Sequence, residues 1–140
     1  TVPMVGNMVS YLPVVAQAAG GAMEGLYVVS PVANAVWDDG DDFRADFITR
    51  YRAAFNEEPA VQTQVGYLSA DLMIRAMEAA GTELTPESLM AAIEGLEGIV
   101  DPFGGPTMSF SAEKRFGVDS LFLIQVEDSN WVVREENLPF

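Results

Sequence analysis

The sequence contains no cysteine and no histidine, and its single lysine is Lys114. Without cysteine there is neither a disulfide framework nor a thiol nucleophile. Without histidine the chain lacks the commonest general base and the commonest transition-metal ligand. Serine chemistry would then need a lysine base, but Lys114 lies in a polar segment, SAEKRFG, and there is no GxSxG motif. We therefore predict a protein that is not an enzyme and that carries no cofactor and no metal.

Positive charge is also scarce. Lys and Arg total 7 against 21 Asp and Glu, which gives a formal net charge of −14. The few cations are scattered along the chain, so no basic patch opposes the repulsion of phosphate groups and anionic membranes. Nucleic acid is thereby excluded as a partner. No stretch approaches the roughly 20 apolar residues of a membrane span.

Short apolar runs rich in Val, Leu and Phe predict β-strands at both ends of the chain. The EDSN segment reads as the turn of a hairpin that joins the last two strands, and the tail ENLPF is expected to form a surface strap. Strands at both ends with helices between them favour the α/β fold class. The predicted strands are residues 2–6, 26–32, 107–110, 118–126 and 131–134.

Three amphipathic segments predict helices in the middle of the chain, after a short helix that closes at Gly20-Gly21. Segment 42–55 carries an aromatic residue at every fourth position and should stop at Asn56. Segment 60–81 should end at Gly81, and Thr85-Pro86 should open the third helix. Segment 60–81 has two apolar faces, so we expect burial on more than one side. One face is Val61, Val65, Leu68, Leu72, Ala76 and Ala79, and the other is Tyr67, Ala70, Ile74 and Met77.

An aspartate cluster precedes the first long helix and raises the question of a calcium site. An EF-hand loop that began at Asp38 would need an oxygen ligand at its third position and Gly at its sixth. Those positions hold Gly40 and Phe43, so the pattern fails and a helix-capping acidic loop is the better interpretation. The glycine pairs of the chain likewise fit no phosphate-binding frame. The aspartates are Asp38, Asp39, Asp41 and Asp42.

Several sequence segments, taken in order, match one protein family. They are AMEGLYVVSPV, an F-x₃-F-x₂-R-Y-x₃-F helix followed by Pro59, Gly66-Tyr67 in a helix that ends Ala-Ala-Gly, GGPTMSF, and a last hairpin that ends Trp131-Val132. In their order and spacing they resemble type I periplasmic ligand-binding proteins, the branched-chain amino-acid receptor type that feeds ABC transporters. The resemblance covers essentially the whole chain, but it corresponds only to the later part of such a protein.

The resemblance implies two α/β lobes joined by three crossing strands, with the ligand held between the lobes. Residues 1–30 would end the first pass through the second lobe, residues 31–120 would form part of the first lobe, and residues 121–140 would be a hairpin that returns to the second. We therefore expect a fragment of a longer protein. Its strands at 2–6 and 26–32 would then lack neighbours, and self-association through their edges is a possible outcome.

The resemblance also implies where ligand would bind. The loop after the first strand would face the cleft, which makes Asn7, Met8 and Val9 candidate ligand-binding residues, with Tyr11 one helical turn further as an aromatic wall. In amino-acid-binding members an acidic residue in this loop binds the ammonium group of the ligand, but neither Asn7 nor Met8 is acidic. This favours an aromatic or carboxylate-bearing ligand over an amino acid. The alternative is that Asn7 only caps a turn and Met8 packs.

Ser30-Pro31 would lie on a crossing strand and act as the hinge. The predicted function is the extracytoplasmic solute-binding component of an ABC transporter, which closes around an amino acid or an aromatic or carboxylate compound. Its partners would be this small molecule and the membrane subunits of the transporter, and its location periplasmic or extracellular. The alternative is a ligand-sensing receptor or regulator domain of the same fold.

Overall fold

A four-stranded sheet joins the two ends of the chain. The structure is a computed structural model that describes residues 2–32 and 40–140. The strands follow the order β1-β2-β3-β4, with β1 parallel to β2 and the other neighbours antiparallel. Their bounds are β1 Val5–Gly6, β2 Tyr27–Ser30, β3 Ser120–Glu127 and β4 Asn130–Pro139.

The centre of the sheet is the pair formed by β2 and β3. Val28 lies opposite Ile124, and both side chains are fully buried. The hairpin that joins β3 to β4 turns at Asp128 and Ser129, whose φ angles of 50° and 61° are those that a tight two-residue hairpin turn requires. The predicted EDSN turn is confirmed. Glu24 fixes this turn to the chain before β2, because its carboxylate accepts hydrogen bonds from both turn amides at 3.1 and 2.7 Å.

Three strand predictions need correction. The tail is not a strap, because β4 continues to Pro139 and pairs there with Ser120. Segment 107–110 forms only an isolated bridge, in which Met108 pairs with Ile99. The expectation that strand 26–32 lacks neighbours is wrong, because β3 covers the side of β2 that faces away from β1. Only β1 keeps an unpaired edge at that end of the sheet.

Helix boundaries follow the capping residues that the sequence predicts. Asp41 accepts a hydrogen bond from the Arg44 amide at 2.9 Å and starts α2, and Asn56 ends that helix with a φ of 54°. Asp38 and Asp39, the other half of the aspartate cluster, lie outside the described residues. None of the described helices combines the length and apolar character needed to cross a bilayer. The helices are α1 Pro13–Gln17, α2 Asp42–Phe55, α3 Val61–Ala80 and α4 Pro86–Glu94, with short 3₁₀ segments at Met8–Ser10 and Ala18–Gly21.

Helix α3 buries its first apolar face and only part of its second. Val61, Leu68 and Ala76 are buried, as the sequence predicts for the first face. On the second face Tyr67 packs against the core as expected, but the expected burial is wrong for Ile74, which is 50% exposed, and for Met77, which is also exposed. The physical reason is that the described elements pack against α3 along the first face and leave this part of the second face without a neighbour.

The main helical core is an aromatic cluster around Phe103. Its ring lies 5.1 Å from that of Phe47, 5.5 Å from that of Tyr67 and 5.6 Å from that of Phe43, each in an edge-to-face arrangement. Such pairs are worth about 0.5–1.5 kcal/mol beyond the area that they bury. The cluster belongs to the same hydrophobic core as Val28 and Ile124 of the sheet.

The N-terminus of α4 provides a test of capping. The Thr85 hydroxyl accepts a hydrogen bond from the Ser88 amide at 3.1 Å, and the Ser88 hydroxyl accepts one from the Thr85 amide at 3.0 Å. We expect Thr85→Ala to lower the free energy of unfolding by about 1 kcal/mol, measured by urea denaturation. Thr82→Ala, at an exposed position three residues earlier, is the matched control and should change it by less than about 0.5 kcal/mol. Equal losses in both variants would contradict the cap.

Candidate functional site

A compact turn follows β1. The Asn7 side-chain oxygen accepts a hydrogen bond from the Val9 amide at 3.1 Å, which caps the 3₁₀ segment Met8–Ser10. A Cβ on Gly6 would lie 3.1 Å from the Ser10 hydroxyl oxygen, so the turn packs tightly against the end of the strand. In α/β sheets the carboxyl ends of strands are where ligands bind. The turn therefore stands at the right place for a binding site.

A cavity of about 210 Å³ lies beside this turn. Met8 and Pro31 line it together with Leu68 and Leu72 of α3. The segment 101–118 completes the part of the lining that the structure describes, and its side chains are apolar except for Ser69 and Asp101. A mostly apolar pocket with a few convergent polar groups is the usual form of a small-molecule site.

The structure brings together two of the six residues that the resemblance singles out. Met8 and Pro31 both line the cavity, although they are far apart in the sequence. Asn7, Val9, Tyr11 and Ser30 do not line it. Ligand contact by Asn7, Val9 and Tyr11, and hinge motion at Ser30, stay predictions.

Each of these four residues has a defined local setting. Val9 is 71% exposed, whereas Tyr11 is buried with its ring edge-to-face on Trp131 at 5.3 Å. Trp131 donates from its indole nitrogen to the Leu12 carbonyl at 2.8 Å, which ties the turn to β4. Ser30 is buried, and its hydroxyl donates to the Val32 carbonyl at 2.7 Å. Asn7 is exposed and caps the turn.

Asp101 is the charged residue of the cavity lining. It is 5% exposed, and its two carboxylate oxygens accept hydrogen bonds from the amides of Phe103, at 2.7 Å, and Gly105, at 3.1 Å. Arg44 donates to the Pro102 carbonyl at 3.3 Å and pairs with Asp41 at 3.6 Å, which anchors the same loop to α2. The sequence analysis missed Asp101. The available signal was Asp-Pro followed by Gly-Gly-Pro, a pattern in which an aspartate bonds to the amides of its own turn.

Burial raises the pKa of the Asp101 carboxyl above its usual range. The amides of Phe103 and Gly105 and the positive charge of Arg44 oppose this shift. A perturbed carboxyl in a cavity is a candidate functional group, because such shifts concentrate at functional sites.

The raised pKa predicts a pH dependence of stability. The folded protein holds the Asp101 proton more tightly than the unfolded chain does, so this group contributes stability below its unfolded pKa. That contribution is lost as the pH rises through the folded pKa. We expect the native protein to gain stability relative to Asp101→Asn when the pH falls from about 7 to about 4, measured by urea denaturation at each pH. A difference that stays constant, or that changes in favour of Asp101→Asn, would contradict the shift.

The chain is similar to proteins of known family and known structure. A family model described as "Periplasmic binding protein" matches residues 1–130. No curated protein matches the chain. Solved structures do match it, at identities that establish the fold alone.

Three of these structures illustrate the likeness. A branched-chain amino-acid ABC transporter from Thermus thermophilus with bound valine is 20% identical with a TM-score of 0.75, over 97% of this chain and 38% of that chain. An extracellular ligand-binding receptor from Rhodopseudomonas palustris HaA2 is 18% identical with a TM-score of 0.74, over 96% and 40%. A solute-binding protein of an ABC transporter from R. palustris in complex with benzoate is 21% identical with a TM-score of 0.67, over 99% and 36%. The chain thus spans less than half the length of each, and the predicted α/β fold is confirmed.

Proposed function

We propose, because this chain belongs to the periplasmic binding protein family, that it serves as part of the solute-binding component of an ABC transporter outside the cytoplasm. It binds a small molecule by lobe closure, catalyses no reaction, and delivers the ligand to the membrane subunits of the transporter. The motifs quoted above for type I periplasmic ligand-binding proteins are consistent with this membership. The structures that the chain matches are described as binding proteins, transporter components or receptors.

The observation that carries the proposal is the cavity of about 210 Å³ beside the turn after β1. Met8 from this turn and Pro31 from the end of β2 line it together with residues of α3. An engineered apolar cavity of about 150 Å³ accepts benzene, so this one has room for a single ring or a branched aliphatic group. Bound valine and bound benzoate in two of the matched structures are ligands of that size class.

The sheet topology supports closure at Ser30-Pro31. Strands β1 and β2 share one sheet with β3 and β4, so residues 1–30 and 121–140 act as one unit, as proposed for the second lobe. The chain leaves this sheet at Ser30 and returns to it at Ser120. Rotation about Ser30-Pro31 would move the intervening segment, and with it α3 and Asp101, relative to Met8.

Isothermal titration calorimetry on the chain and on its complete gene product tests the proposal, with valine and benzoate as the first ligands. Met8→Ala should weaken binding about tenfold, since it removes a buried apolar contact. Val14→Ala is the matched control, because Val14 is exposed and lies outside the cavity lining. Saturable binding that responds equally to both substitutions would move the site away from the cavity. Absence of saturable binding by the complete gene product to any amino acid or aromatic compound would overturn the function.

A ligand-sensing receptor is the second candidate, favoured by the likeness to an extracellular ligand-binding receptor. Both functions use the same cavity, so binding data do not separate them. The complete gene does: an output domain fused to this fold favours a receptor. Co-purification with the membrane subunits of a transporter favours delivery of solute.

A further inference from the structure

Among the described residues that line the cavity, the two polar side chains, Asp101 and Ser69, both present hydrogen-bond acceptors. Asp101 offers a carboxylate, which accepts hydrogen bonds and donates none when ionised. Ser69 donates its hydroxyl hydrogen to the Val65 carbonyl at 2.7 Å, so only its oxygen lone pairs are left for a ligand. Among the described residues that line the cavity there is no Lys, Arg, Asn, Gln, Tyr or Trp side chain that could donate a hydrogen bond.

The charged groups around the cavity have a negative sum, which favours the same kind of ligand as the acceptors do. Arg44, which is not among the described lining residues, anchors the Asp101 loop and pairs with Asp41. These three charges sum to −1. The whole chain carries −14, so no long-range field offsets this negative charge. A ligand carboxylate in the cavity would meet acceptors and negative charge, whereas an ammonium group would meet two acceptors and an opposite charge.

We propose that the cavity takes a small apolar amine: a single ring or branched aliphatic body against Met8, Leu68 and Leu72, with its ammonium group toward Asp101 and Ser69. This inference rests on the proposed binding function and names the ligand class of the same site. It differs from the expectation of a carboxylate-bearing ligand, which rested on the absence of an acid at Asn7 and Met8. The structure supplies the acid from residue 101 instead.

Three ligands of one shape test this assignment: benzylamine, benzyl alcohol and benzoate, titrated calorimetrically at neutral pH into the chain and its complete gene product. Charge-assisted hydrogen bonds exceed neutral ones enough to change affinity by about tenfold or more. We expect benzylamine to bind at least about tenfold more tightly than benzyl alcohol, and benzoate to bind no better than benzyl alcohol.

Asp101→Asn should bring benzylamine to the affinity of benzyl alcohol, and the affinity of benzyl alcohol for the same variant reports how much of the loss comes from the cavity and not from the charge. Asp71→Asn is the matched control: it removes one negative charge from α3, where Asp71 pairs with Arg75 at 2.7 Å, and Asp71 does not line the cavity. If Asp101→Asn does not fold, Ser69→Ala replaces it, and benzylamine is expected to lose more affinity than benzyl alcohol because the hydrogen bond from its ammonium group is charge-assisted.

Two results would overturn the ligand class while leaving the binding function intact. One is tighter binding of benzoate than of benzylamine. The other is an equal loss of benzylamine affinity in Asp71→Asn and Asp101→Asn, which would reduce the preference to the general attraction of an acidic protein for cations. If none of the three compounds binds although valine does, the amine assignment fails and the solute-binding function stands. If valine and all three compounds fail to bind, the proposed function fails with it.

Discussion

Replacement of Phe103 by alanine is expected to lower the free energy of unfolding by about 3–5 kcal/mol. The Phe103 ring is 3% exposed and stands between α2 and α3, in edge-to-face contact with the rings of Phe43, Phe47 and Tyr67. The substitution removes all three contacts and leaves a cavity that rigid neighbouring rings fill only in part. Since a domain has about 5–15 kcal/mol in total, much of the stability depends on this one side chain.

Urea denaturation followed by tryptophan fluorescence measures the effect of Phe103→Ala. Phe55→Ala is the matched control, because Phe55 is 62% exposed and contacts the Tyr51 ring at the end of α2. We expect it to cost less than about 1 kcal/mol. Similar losses in both variants would show that Phe103 is not the centre of the helical core.

Local signals predicted the helices accurately because caps act over three or four residues. Asp41, Asn56, Gly81 and Thr85 each bond to or turn the backbone next to them, so their effect does not depend on the rest of the chain. The hairpin turn at Asp128 and Ser129 is likewise determined by residues next to each other in the sequence. Predictions of this kind hold whatever tertiary contacts follow.

Predictions that depend on residues distant in the sequence were less accurate. The tail was expected to form a surface strap, yet backbone pairing with β3 extends β4 to Pro139. The second apolar face of α3 was expected to be buried because Ile74 and Met77 are apolar. Burial depends on which elements pack there, and periodicity alone does not contain that information.

The candidate site likewise combines residues that the sequence could point to with one that depends on distant partners. The resemblance singled out Met8 for ligand contact and Pro31 for the hinge, because the loop after β1 and the end of β2 have recognisable positions in the fold; both line the cavity, and the two roles stay predictions. Asp101 was not found, because nothing local connects it with residues more than seventy positions earlier in the chain. Its contribution depends on the packing of the 101–118 segment against α3, and that packing decides the chemistry of the cavity.

Asp101 also links the stability of the fold to the site. Its ionised form is held in the folded protein at some cost, as the raised pKa shows. We therefore expect the stability lost to Asp101 ionisation to be partly recovered when a cationic ligand binds, since ligand binding to the folded state adds to its stability.

The second large effect is expected for Gly105→Ala, which we predict to lower the free energy of unfolding by about 2–4 kcal/mol. A Cβ on Gly105 would overlap the Oδ2 atom of Asp101 and approach its Cγ to 3.1 Å. The carboxylate is buried and held by the amides of Phe103 and Gly105, so it has no free space into which it could move. The substitution must therefore break the turn or displace the loop that lines the cavity.

Gly66→Ala is the control for this prediction, because it makes the same chemical change at a site without neighbours. Gly66 lies within α3, and no atom stands within 4 Å of a Cβ built there. Alanine is the better helix former, so this variant should be more stable than the native chain by about 0.5–1 kcal/mol. Opposite signs for the two substitutions in urea denaturation would confirm that contact with Asp101 decides the cost at Gly105. A neutral Gly105→Ala would show that the Asp101 turn relaxes without loss, and the cavity lining would then lack the rigidity that selective binding of an ammonium group requires.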